Sequence, residues 1–150
     1  MIRLDEVAAR LAAKVPDLAG RIEFAGQFSV VIESGSLPDN TPAAYVLPGG
    51  LRGGQADAAV NLFRQGFVET VLVVLVIRVA GDALGQAGLD EATPICRQII
   101  EGIVGWVPQG PPAALGTMQL ASMELVGSMK GALLFQFDFA LNDQLRITPS

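Results

Sequence analysis

Apolar side chains recur at Leu4, Val7, Ala8, Leu11, Ala12 and Val15, a spacing of threes and fours that places them on one face of a helix over residues 3–15. Asp5 and Glu6 lie in its first turn and Lys14 in its last, matching the helix dipole, and Pro16 disfavours helical geometry at Val15. A second helix is predicted from about Ala25 to Ser34, with Phe24, Phe28, Val31 and Ile32 on one side and Gly35 as its stop. The period then changes. Residues 43–47, AAYVL, form a short strand, and residues 67–80, FVETVLVVLVIRVA, form a long one that ends at the turn signal Gly81-Asp82. In the middle of the long strand Val71, Val73, Leu75 and Ile77 alternate with Leu72, Val74 and Val76, so both faces are apolar and both need a cover. Helices supply one cover; a neighbouring subunit is the candidate for the other.

Further along, Leu89, Ala92, Cys96, Ile99, Ile103 and Trp106 mark a helix over residues 89–106, with Pro94 near its first turn behind an Asp90 or Thr93 cap. After the loop WVPQGPPAALG comes a hairpin, residues 117–126 and 132–141, turning through GSMKG. Its second arm places Leu133, Phe135, Phe137, Phe139 and Leu141 on one face, with Gln136 and Asp138 opposite. In its first arm Met118 and Leu120 are out of phase with Met123 and Leu125, which predicts a bulge near Ala121 and Ser122. The order helix-helix-strand-strand-helix-strand-strand predicts an α+β fold: about four mainly antiparallel strands with helices packed on one face, in a single domain over residues 1–150.

Composition narrows the function. Apolar residues make up 51% of the 150 and charged ones 17%, which excludes disorder and leaves more apolar surface than a small monomer needs. The longest unbroken apolar run, Val71 to Ile77, is far short of a membrane span, and Asp5 and Glu6 stand where a cleaved leader would be apolar. Histidine is absent, which removes Ser-His-Asp and Cys-His catalysis and the usual zinc sites. Cys96, the sole cysteine, sits in an apolar helical stripe and reads as a core residue. The net charge is −5 and the cations are scattered singly, so the chain carries no footprint for gripping nucleic acid. Asp5-Glu6 and Asp90-Glu91 read as helix starts, and Asp138 with Asp143 as a solvated strand face followed by a turn.

One stretch remains, YVLPGGLRGGQA, residues 45–56, in which Gly49, Gly50, Gly53 and Gly54 surround Leu51 and Arg52. The spacing of Gly49 and Gly54 after a strand matches part of a phosphate loop, but Gln55 and Ala56 occupy the positions of its lysine and hydroxyl residue. The stretch reads instead as a mobile connection. Leu51 and Arg52 are its only gripping side chains, and it is the candidate contact with a neighbouring subunit or another assembly component.

Taken together, MIRLDEVAARLAAKVPDL, TPAAYVLP, LRGG leading into FRQGFVETVLVVLVIR, the helix ending in GW.P, and GALLFQFDFALNDQLRI resemble the tail terminator, or tail completion, proteins of long-tailed bacteriophages and prophages. The resemblance implies an α+β structural subunit rather than an enzyme, without cofactor or metal. It implies self-association as a ring, usually of six subunits, at the head-proximal end of the virion tail after assembly in the host cytoplasm. The implied partners are the tail tube protein, whose polymerisation the ring stops, and the head-tail connector protein that docks on it. DNA passes through such a ring without specific binding, and no membrane is involved. Another neck or adaptor subunit, a small-ligand binding module and an enzyme are the competing classes.

Overall fold

The computed structural model describes residues 2–59, 61–78, 86–129 and 131–148. Among these residues are three α-helices and a five-stranded mixed sheet in the order β1-β2-β3-β5-β4. Helix α1, Leu4–Lys14, buries Val7 and Leu11 along the stripe that its spacing predicts. Helix α2, Ala25–Ser34, ends as predicted at Gly35, whose φ of 67° opens the left-handed stop. Between them lies an unpredicted strand, β1, Ile22–Phe24, pairing in parallel with Ala44–Val46. Three residues are too few to show a period, so a strand of this length leaves no sequence signal.

Strands β2, Ala43–Ala59, and β3, Leu62–Arg78, form a long antiparallel hairpin. Residues 79 and 80 of the predicted long strand, and its Gly81-Asp82 turn, lie outside the described residues. Strands β4, Met118–Met129, and β5, Ala132–Ile147, form a second hairpin, and β5 pairs along the whole length of β3. Gly127, Ser128 and Met129, read above as part of the turn, are strand residues opposite Leu134, Leu133 and Ala132. The predicted bulge is present, as a register shift between Leu120 and Ser122.

Helix α3, Gln86–Ile103, begins three residues earlier than predicted. Pro94, Asp90 and Glu91 are therefore interior rather than in the first turn, and the Thr93 hydroxyl bonds back to the Leu89 carbonyl at 2.7 Å instead of capping. Trp106 follows the helix, half-buried against the core, with the Arg10 guanidinium 5.3 Å above its ring.

The alternation in β3 sorts the layers. Val71, Val73, Leu75 and Ile77 pack with Phe135, Phe137, Phe139 and Leu141 under α1 and α3. On the opposite face Val74 and Val76 meet Tyr45, Leu134 and Val31 of α2. Helices thus cover both faces, not one, and the cover for Val74 and Val76 comes from within the chain. At roughly 1.5–3 kcal/mol per buried apolar side chain, α2 removes a cost that an all-one-face arrangement would leave. Its coverage stops short of Leu72, Gln136, Asp138 and Ala140, which stay half-exposed on that face.

Candidate interaction edges and the arm anchor

Past Val46, β2 has no strand on its outer side among the described residues, so its backbone from Leu47 to Ala59 forms one free edge of the sheet. Beyond the Leu51–Glu69–Leu141–Met118 level the sheet has three strands among the described residues, residues 52–59 of β2, 62–68 of β3 and 142–147 of β5, an arm extending beyond the body. The glycine-rich stretch runs from the four-stranded body at Gly49–Leu51 into this arm at Arg52. Gly50, Leu51, Arg52 and Gly53 pair with Thr70, Glu69, Val68 and Phe67, so the stretch is strand and not the mobile connection its composition suggested.

The glycines are demanded by the pairing. A Cβ on Gly49 would lie 2.6 Å from Thr70 Cγ2, and Gly50 has φ 100°, at register shifts between Pro48 and Gly50 and between Gly53 and Ala56. Gly54 accepts a hydrogen bond from Gln65 Nε2 at 3.1 Å. Pro48, which has no N–H to give a ladder, is tolerated because β2 is an edge strand here. Leu51 is exposed and shares the face of Glu69; Arg52 lies on the opposite face and makes no hydrogen bond or ion pair among the described residues.

Among the described residues the second free edge is β4, last in the strand order and exposed from Gln119 to Ser128. Leu120, Met123 and Leu125 point to the core side of the sheet yet stay 37–43% exposed, because α3 stops short of them. Met123 lines an apolar groove of about 410 Å3 between α3 and the sheet, together with Leu89, Cys96, Ile100 and Phe135. Burial pushes the Cys96 thiol up to about 11, so the thiolate form is suppressed and the side chain serves as core.

The arm is tied to the body by a charged cluster that the sequence reading missed. The Arg3 main-chain N–H donates to Glu69 Oε2 at 2.8 Å. Its guanidinium donates to Glu6 Oε1 at 2.8 Å, to the Pro112 carbonyl at 2.7 Å, to the Gly110 carbonyl at 3.2 Å and to Asp143 Oδ2 at 3.4 Å. Gly110 N–H closes the circuit on Glu6 Oε2 at 2.9 Å. Burial raises the Glu6 pKa, but the Gly110 N–H and the Arg3 guanidinium outweigh it and hold the carboxyl below its ordinary value. Asp143, expected in a turn, is a strand residue that also accepts from the Leu115 N–H at 3.3 Å.

Arg3 and Glu69 are 6% and 3% exposed, and Arg3 Nε and Glu69 Oε1 have no hydrogen-bond partner among the described residues. The only sequence signal for this cluster is Glu69 interrupting an apolar strand. Chemically Glu6, Asp143 and one oxygen of Glu69 accept from cationic and N–H donors, and no group of metal-ligating residues assembles among the described residues. No helix there is long and apolar enough to cross a membrane. The arrangement orients an arm and two edges.

No curated protein shows significant similarity to this chain. Among solved structures, it is similar to a chain of the virion of a native gene transfer agent particle, with 13% identity and a TM-score of 0.54 over 93% of this chain and 92% of that one, a likeness of fold. The family model described as phage tail terminator protein matches residues 1–149. The chain therefore belongs to the phage tail terminator protein family, and is a structural protein of the phage tail.

Proposed function

We propose that this chain assembles as a homo-oligomeric ring, of six subunits as the family resemblance implies, on the head-proximal end of a completed tail tube. There it ends polymerisation of the tube protein and offers its other face to the head-tail connector. The observation that carries this reading is the pair of free edges, β2 beyond Val46 and β4 throughout, on opposite sides of one sheet. Unpaired edges with exposed apolar side chains are a liability for a monomer and a resource for a subunit that is covered in an assembly. A tube-facing surface and a connector-facing surface that differ explain the stop: the second face does not present what the next tube ring needs.

The absence of histidine and the occupied carboxylates favour a structural role over an enzymatic one. Net charge −5 and scattered cations suit a ring through which DNA slides, because cations lining a passage would retard a polyanion. Deleting the gene in the parent phage tests the reading. Tails of uncontrolled length are the expected result. Tails of normal length beside unattached heads would overturn capping in favour of an adaptor role at the neck.

A further inference from the structure

The two free edges match each other in more than exposure. In β4 the regular run Ser122–Leu125 lies between two register shifts, and in β2 the regular run Gly50–Gly53 also lies between two. Their side chains sort compatibly. Leu51 and Gly53 face the core side of the sheet with Met123 and Leu125, while Arg52 and Glu124 face the other side. Neither Arg52 nor Glu124 has a hydrogen bond or ion pair among the described residues. The directions also agree. β2 runs parallel to β5 and β4 antiparallel to it, so a copy placed beside this one brings its β2 antiparallel to this β4.

We propose that the ring is closed by β-strand pairing: β4 of each copy pairs antiparallel with Gly50–Gly53 of the next, with Leu125 opposite Leu51, Glu124 opposite Arg52 and Met123 opposite Gly53. This rests on the ring reading above and names the surface that makes it. The pairing satisfies the backbone on both edges, covers three exposed apolar side chains with one another and matches the one cation of the run with the one anion. Met123 already lines the apolar groove beside α3.

Geometry gives an independent check. Arg52 is level with Val68, and Glu124 is level with Gln136 and hence with Val74, six residues further along β3. That offset is about 20 Å along the strands, against about 19 Å across the four strand spacings from one copy's β2 to the next. Copies therefore meet at one height when the strands lean about 45° from the ring axis, close to the roughly 35–45° of closed barrels. The contact is heterologous, so it forms a ring where the rotation closes.

The test uses the full-length chain, native mass spectrometry and light scattering after size exclusion. R52E and E124R alone are expected to raise the concentration for half-assembly by about fivefold, the scale of one exposed ion pair per interface, and R52E/E124R together to return it toward the unmodified value. Under oxidation, a chain carrying Leu51→Cys and Leu125→Cys is expected to give a covalent ladder up to the ring, and a chain with Leu125→Cys alone only monomer. A ring that persists unchanged in both charge variants, with no ladder, overturns the pairing and leaves the ring reading standing. Covalent dimers from Leu125→Cys alone overturn it in favour of β4 pairing with itself. An unmodified chain that stays monomeric at all concentrations overturns both readings.

Discussion

Arg3 and Glu69 meet through the backbone of one and the side chain of the other, at 2.8 Å, where the first residue of the helical layer touches the root of the three-stranded arm. Arg3 then reaches with its guanidinium to Glu6, Asp143 and the 110–112 carbonyls, so one residue holds α1, the loop before β4, β3 and β5 in a fixed relation. Removing one member of a buried charged cluster costs more than the cluster contributes, because the remaining charges lose their compensation. Arg3→Ala is expected to destabilise the fold by about 3–5 kcal/mol, read as a lower midpoint in urea unfolding. A change under about 1 kcal/mol would mean that water compensates the carboxylates after all.

Glu6 makes a pH prediction with a definite sign. Its folded pKa is below the ordinary 4.5, so its contribution is complete above that value and is lost as pH falls through the lower, folded pKa. Stability should decline on the acid side below about pH 4.5, and Glu6→Gln should flatten that limb while lowering stability at neutral pH. Thermal unfolding of both chains between pH 3 and 7 checks this.

Gly49 packs against Thr70 with no room for a side chain. Gly49→Val is expected to push the β2 arm from β3 at a cost of about 1–3 kcal/mol. Amide exchange should accelerate in residues 50–58 while the Phe137 and Phe139 amides keep their protection. Equal loss in both regions would show that arm and body unfold as one unit.

Cys96 should react slowly with a thiol reagent in the folded protein at pH 8, since burial lifts its pKa to about 11 and the sulfur lies in the core. Complete reaction is expected in denaturant. Fast labelling of the native state would mean that the groove between α3 and β4 opens readily.

The parts that were readable in the sequence are those where side-chain period reports burial. Leu133, Phe135, Phe137, Phe139 and Leu141 alternate because one face of β5 is core, and all five are buried. The stripe from Leu4 to Leu11 works the same way for a helix. The glycine stretch failed this reading because its strand state comes from its neighbour: residues 50–53 are held by the ladder to β3, while their own composition favours turns. Pro94 misled in the opposite sense, since a proline signals a first turn yet α3 carries it in its interior. The Arg3 cluster was unreadable for a different reason. Its members are spread from residue 3 to residue 143, and no local pattern marks charges that converge only after the sheet forms.

The pairing of β3 with β5 also sets the order in which the chain can be built. Arg78 waits for Ala132 and Phe63 for Ile147, so the most apolar strand in the protein leaves the ribosome well before the strand that flanks it. At roughly 5–20 residues per second, the β2–β3 hairpin spends several seconds with its Val- and Leu-rich edge unsatisfied. Synthesis speed and temperature should therefore govern the soluble yield of this chain more strongly than they govern the stability of the finished fold.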